Sequence, residues 1–250
     1  MNIENFKMDL IEICALKRSG HHAFMGWLVK NLYGLQPDFG FKLEFVSDSG
    51  LWIWNDTTNY EKHGTELFYS ALEHDYPKTL MVNYEDEPVE YSKFHNSKKY
   101  MGPKNFNFDK NINIHNTHRF YYVRDFYNCL SSRIKHNNNM VHTFDFGENY
   151  VNMWKQYAYE ILKSPKQSIK YEDLVLNTSK CDEFLFDNFG VHQRYSVNDV
   201  KGRNSSFGDN KNYLNRFDIN LLPQKTKDLI RKDNELHYLI GALGYEYKEI

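Results

Sequence analysis

Six consecutive residues, Lys17-Arg18-Ser19-Gly20-His21-His22, put full positive charge, a hydroxyl and a flexible backbone into one turn. They follow DLIEICAL (9–16), an apolar run of strand length. They precede Phe24, Trp27, Leu28 and Leu32, spaced i, i+3, i+4 and i+8 as on one face of a helix. Strand, tight turn and helix in that order can cradle an anion. The helix N-terminus presents N–H groups without intrahelical acceptors and a partial positive charge. Gly20 lets the backbone approach an anion closely, and Lys17 and Arg18 add charge. The Walker A pattern GxxxxGK[ST] does not occur in the sequence. Taken alone, Lys-Arg-Ser-Gly fits a solvated surface turn equally well.

A second group lies further on. Val123-Arg124-Asp125 ends the apolar run FYYV (120–123), and Ser131-Ser132-Arg133 follows in a helical stretch. A guanidinium at a strand end and a hydroxyl eight residues later can grip one phosphate from two sides. The competing reading is an Arg124–Asp125 surface pair beside two helical serines.

The elements that must position these groups alternate in type. Apolar runs at 9–16, 79–84 (TLMVNY), 120–123 and 168–171 read as strands. Glu12 is out of character in the first of them. Helices are expected from Phe24 to a stop at Gly34, through Leu130 and Ile134, and over Glu148–Lys163. The last carries Val151, Trp154, Tyr157, Ala158 and Ile161 on one stripe and ends at Pro165. A further helix near Ser179–Phe189 is capped by Gly190, and Pro223 opens another. Thr65–Leu72 is a short helix candidate, residues 96–117 read as a surface loop, and residues 198–216 are polar and basic. No repeat or linker divides the chain, so residues 1–250 are expected to form a single domain. The alternation predicts the α/β class, a three-layer sandwich with a central parallel sheet flanked by helices and joined by right-handed crossovers. Ligands bind beyond the carboxyl ends of such strands. The turns after Leu16, Tyr84 and Val123 are therefore expected on one edge.

Composition narrows the partners. The formal net charge of −2 supplies no global basic field, which argues against a nucleic-acid partner. An anionic ligand must then be held by a local cluster. Mean hydropathy is −0.72, and no run approaches the ~20 apolar residues of a membrane span. Glu4, Asp9 and Glu12 interrupt the N-terminal apolar stretch, which argues against a signal peptide and for a cytoplasmic setting. Cys14, Cys129 and Cys181 are widely spaced and form no CxxC pair, so buried free thiols are expected. No metal-ligand spacing is present, and His21-His22 would need a third ligand from elsewhere.

Taken together, the segments resemble one family. RSGHHAF (18–24) is similar to the 5′-phosphosulfate loop of sulfotransferases, which reads RSGSSF in the carbohydrate-type enzymes. VRDFYNCLSSR (123–133) resembles their 3′-phosphate motif, VRDPxxxxxSR, with the same spacing from Arg to Ser. Tyr171-Glu172-Asp173-Leu174 resembles the YEDL after a later strand. Gly208-Asp209-Asn210-Lys211-Asn212 resembles the GDWKN of the cytosolic enzymes, with Asn210 in place of Trp. Lys201-Gly202-Arg203 lies where those enzymes carry a basic loop over the 3′-phosphate. The segments keep the family's order and span residues 13–212. His21 and His22 stand where the family has small hydroxyl residues, and Phe126 where it has Pro.

The resemblance implies a P-loop-like nucleotide-binding fold and sulfuryl transfer. The donor would be PAPS (3′-phosphoadenosine 5′-phosphosulfate) and the product PAP. The acceptor would be a hydroxyl or amine of a carbohydrate or small molecule. Arg18, backed by Lys17, would stabilise charge on the departing phosphate. Ser19, Gly20, His21 and His22 would hold the 5′-phosphosulfate through backbone N–H groups. Arg124 and Ser132 would hold the 3′-phosphate, with Lys201 or Arg203 closing over it. Glu85, just past a buried strand, is the first choice of general base, with His22 and His118 as rivals. Trp52 and Trp54 could stack on an acceptor. Two other readings fit the same segments. One is a P-loop-type small-molecule kinase, against which His21 speaks. The other is an inactive nucleotide- or glycan-binding module on the same fold.

Overall fold

The computed structural model describes residues 7–16, 19–35, 43–46, 51–54, 78–86, 113–137, 147–200 and 217–250. The chain opens with β1 (Lys7–Ala15) and α1 (His21–Tyr33), which stops at Gly34 in the left-handed region (φ 71°). Next come β2 (Leu43–Val46), β3 (Leu51–Trp54), β4 (Thr79–Glu85) and β5 (Asn113–Val123). Then follow α2 (Phe126–Asn137), α3 (Glu148–Lys163), β6 (Ser168–Lys170), α4 (Tyr171–Leu176) and α5 (Thr178–Phe189). Helices α6 (Gln224–Lys232) and α7 (Asn234–Ala242) close the described fold.

Six strands make one sheet in the order β2-β3-β4-β1-β5-β6. All neighbouring pairs are parallel except β2 with β3. That antiparallel edge lies in a stretch where the sequence predicts no strand. Trp52 and Trp54 fall on β3, in register with Leu80 and Val82.

The sheet is covered on both faces, as the unbroken apolar runs require. Leu10 and Cys14 of β1 and Tyr121 and Val123 of β5 face a core with α2, α3, α6 and α7. Ile11, Ile13 and Ala15 face the other core, with Phe120, Tyr122 and Ile169 against α1, α4 and α5. This is the three-layer α/β arrangement. Cys14, Cys129 and Cys181 are buried thiols in no disulfide. Among the described residues, no helix is long and apolar enough to cross a membrane.

Two local expectations are corrected. Residues 113–117, read as loop, are the first part of β5, paired with β1. The side chains of residues 115–117 are exposed, so apolar patterning is missing, yet the ladder holds. Asn116 Nδ2 donates to Asp9 Oδ1 at 2.9 Å across the pair. Cross-strand pairing here overrides weak local propensity. Tyr171, read as the end of a strand, instead starts α4.

Glu12 also finds its reason. It is fully buried and stands opposite Arg119 in the β1–β5 register. Arg119 Nε donates to its Oε2 at 2.7 Å, and the guanidinium makes a salt bridge to the same oxygen. Glu12→Gln is expected to destabilise the fold by about 2 kcal/mol, below the usual cost of breaking a buried pair. Arg119 is 20% exposed and can still reach water. Urea unfolding checks this; an unchanged midpoint at unchanged slope would mean the pair contributes nothing net.

Candidate anion-binding site

In a parallel sheet the carboxyl ends of the strands meet on one edge, and here the register shows which turns they carry. Ala15 pairs with Glu85 of β4 and with Tyr122 of β5. The turns after β1, β4 and β5 therefore share one edge, as expected. Lys17, Arg18, Lys201, Arg203 and the 208–212 segment lie outside the described residues. Glu85 ends β4 on that edge.

The first turn is built around Gly20, the N-cap of α1, at φ 92° and ψ 20°. A left-handed residue there costs an L side chain strain that glycine avoids. The neighbourhood is equally demanding. A Cβ on Gly20 would meet Cδ2 and Cε2 of Tyr171, each at 2.7 Å. The sequence reading expected Gly20 to admit an anion. The close approach seen in the structure is that of the Tyr171 ring, which backs the turn. The Ser19 N–H donates to the Leu16 carbonyl at 3.1 Å and closes the turn. Ser19 is 1% exposed, and among the described residues its Oγ has no hydrogen-bond partner. No acidic residue occupies the first turn of α1, so that turn itself does not offset the positive end of the helix. His21 is buried and His22 half-buried, with ring centroids 4.2 Å apart, edge to face.

Arg124 follows β5 and is 3% exposed; Asp125 beside it is 6% exposed. The alternative of a surface pair is thereby overturned. Each has its own work. The Arg124 guanidinium lies over the Tyr171 ring, 4.8 Å from its centroid, a cation–π contact. The Arg124 carbonyl accepts from Trp154 Nε1 at 3.1 Å, tying the strand end to α3. Asp125 caps α2, its Oδ1 accepting from the Asn128 N–H at 2.8 Å. Tyr171 thus touches both candidate phosphate-binding segments, with Gly20 against its ring edge and Arg124 across its face.

Behind Tyr171, Glu172 fastens the assembly. Its Oε1 accepts from the Asp125 N–H at 3.1 Å and its Oε2 from the Tyr245 hydroxyl at 2.8 Å. Burial pushes the Glu172 carboxyl above the ordinary carboxylate range, and these two donors pull the other way. A carboxyl raised in the folded state adds stability that is full below its unfolded pKa near 4.3. That contribution is lost as pH rises through the folded value. The stability of the wild type relative to Glu172→Gln should therefore fall as the pH rises above about 4.3. Urea melts at several pH values measure it, and a pH-independent difference would remove burial as the dominant influence on Glu172.

Ser132 sits buried on α2, where Ser131 Oγ accepts from the Asp218 N–H at 3.3 Å. Arg133, unassigned from sequence, is 1% exposed and holds both carboxylate oxygens of Asp86, at 2.8 and 2.7 Å. Asp86 adopts φ 56° immediately after β4, and its N–H donates to the Ala15 carbonyl at 3.2 Å. This fork fixes the end of β4 next to the Gly20 turn. His118 is not at the edge. It sits on β5 five residues before the strand end, roughly 17 Å away at 3.3 Å per residue. Its ring stacks on Phe189 at 5.1 Å and on Phe120 at 6.2 Å, which makes it a packing residue rather than a rival base.

No family model matches the chain. No curated protein matches it either. Among solved structures it is similar to the sulfotransferase domain from the curacin biosynthetic pathway. That likeness covers 96% of this chain and 99% of that one, at 16% identity and a TM-score of 0.48.

Proposed function

We propose that this chain is a PAPS-dependent sulfotransferase acting on a hydroxyl or amine of a carbohydrate or small molecule. One observation carries the reading. Three segments that resemble the donor-binding motifs of that family, around residues 20, 124 and 171, stack on each other at the carboxyl edge of a parallel sheet. A chance sequence likeness gives no reason for Gly20 and Arg124 to share one tyrosine ring.

The chemistry asked of such a site is positioning and charge stabilisation. The acceptor oxygen forms a bond to sulfur as the bond between sulfur and the bridging phosphate oxygen breaks. The acceptor proton passes to a base, and PAP leaves. Ser19 and the N-terminal N–H groups of α1 would hold the 5′-phosphosulfate, and the orphaned Ser19 Oγ fits a ligand oxygen. Arg124 would meet the 3′-phosphate with a planar fork already held by Tyr171, so little ordering is lost on binding. Ser132 would take a second side of that phosphate, and Lys201 or Arg203 would cover it. Arg18 and Lys17 would neutralise charge on the leaving phosphate. Glu85 would take the acceptor proton, with His22 as its rival.

Transfer of radiolabelled sulfate from PAPS to a panel of sugars, phenols and amines tests the reading. Transfer without added Mg²⁺ is the expected result. Phosphate transfer from ATP that requires Mg²⁺ would replace the proposal with the kinase reading. Tight PAP binding with no transfer to any acceptor would replace it with the inactive module.

A further inference from the structure

Tyr122 has no role in the site as assigned, yet its hydroxyl is out of balance with its surroundings. The residue is fully buried, its ring stacked on Phe24 with centroids 5.0 Å apart and planes 6° from parallel. Among the described residues its Oη has no hydrogen-bond partner. Buried polar atoms are nearly always paired, and an exception in a native fold points to a group kept for a ligand or a bound water.

The position of that oxygen is informative. It lies 3.6 Å from where a Cβ on Gly20 would stand, beside the N-cap of α1. Arg124 follows one residue past the end of β5, and its guanidinium lies over the same Tyr171 ring that stands 2.7 Å from that Cβ position. The unpartnered Ser19 Oγ is one residue before Gly20. Among the described residues, two hydroxyls without a partner and a helix N-terminus thus border one turn, with the Arg124 guanidinium across the face of the Tyr171 ring that backs it. A tetrahedral oxyanion, with several oxygens to satisfy, is the ligand class that uses them all.

We infer that the Tyr122 hydroxyl is an anion-binding donor, reaching an oxyanion held at the Gly20 turn from the side of the sheet. Burial and the neighbouring Tyr171 and Glu172 push its ionisation well above the ordinary range for tyrosine, so it keeps its proton at neutral pH. The inference rests on the donor-nucleotide reading only for the identity of the anion.

Tyr122→Phe removes one oxygen and preserves the ring stack. The full-length wild type and this variant are titrated calorimetrically with PAP and, separately, with inorganic sulfate. Both are also melted without ligand. The expected result is PAP or sulfate affinity lower by roughly tenfold to a hundredfold in the variant, the loss of one charge-assisted hydrogen bond. The ligand-free melting temperature should hold or rise, because an unsatisfied buried hydroxyl has gone. Equal affinities in the two proteins overturn the inference and assign the oxygen to a bound water. A ligand-free melting temperature several degrees lower in the variant also overturns it, by giving the hydroxyl a structural partner. Tyr122-dependent sulfate binding with no PAP binding keeps the inference and sinks the nucleotide reading. Wild-type protein that binds neither sinks both.

Discussion

Arg124→Ala is expected to raise the dissociation constant for PAP by about a hundredfold or more, the loss of two charge-assisted hydrogen bonds to one phosphate. The structural reason is preorganisation. The guanidinium is buried and flat against Tyr171, so it meets a phosphate without first losing rotamer freedom. The variant should still fold. The hydrogen bond from Trp154 goes to the Arg124 backbone carbonyl, and the cap of α2 belongs to Asp125, so neither depends on the side chain removed. Loss of the cation–π contact accounts for about 0.5–2 kcal/mol of stability. Arg124→Lys should fall between, since it keeps the charge and loses the planar fork. Calorimetry with melting curves as control separates the two effects. Unchanged PAP affinity in a folded Arg124→Ala protein would remove residue 124 from the site and the main support for the proposed function with it.

Gly20→Ala should be the most damaging small substitution in the described fold. The left-handed backbone costs a non-glycine residue about 1–2 kcal/mol. The new methyl would also stand 2.7 Å from two carbons of the Tyr171 ring, well inside contact distance. Overpacking of that kind typically costs a further 1–3 kcal/mol, for a total of about 2–5 kcal/mol. In a chain of this size the melting temperature should fall by roughly 4–20 °C. Binding should fail too, because the turn and the ring that carries Arg124 are displaced together. A double-mutant cycle with Tyr171→Leu isolates the clash: part of the loss should return, while the backbone cost remains. A Gly20→Ala protein as stable as the wild type would mean that Tyr171 does not back the turn.

The class of fold was legible because it is written in local patterns. DLIEICAL and TLMVNY are apolar on both faces, as only a doubly covered strand can be, and the stripe on 148–163 has helical period. Gly34 and Gly190 mark helix ends because their backbone requirement is local. Residues 113–117 were misread for the converse reason. Their side chains are polar and exposed, and only pairing with β1, more than a hundred residues earlier, makes them a strand. The hairpin of β2 and β3 was missed likewise, its parallel partner β4 lying across a long intervening stretch.

For the candidate site, the chemistry on offer was readable from residue types alone. Charge, hydroxyl and glycine at 17–20, Arg124 before a helix and an acid after β4 are properties of single residues in short windows. Their surroundings come from the fold. It made Tyr171 the common wall of two distant turns, Arg133 the clamp on Asp86, Glu172 the anchor of Asp125, and Glu12 the partner of Arg119. It also moved His118 into the packing and left the Tyr122 hydroxyl unpaired beside Gly20. The physical reason is the same in each case. Burial, stacking and pairing are relations between residues far apart in the chain, and no residue type or spacing carries them until the sheet brings its strand ends to one edge.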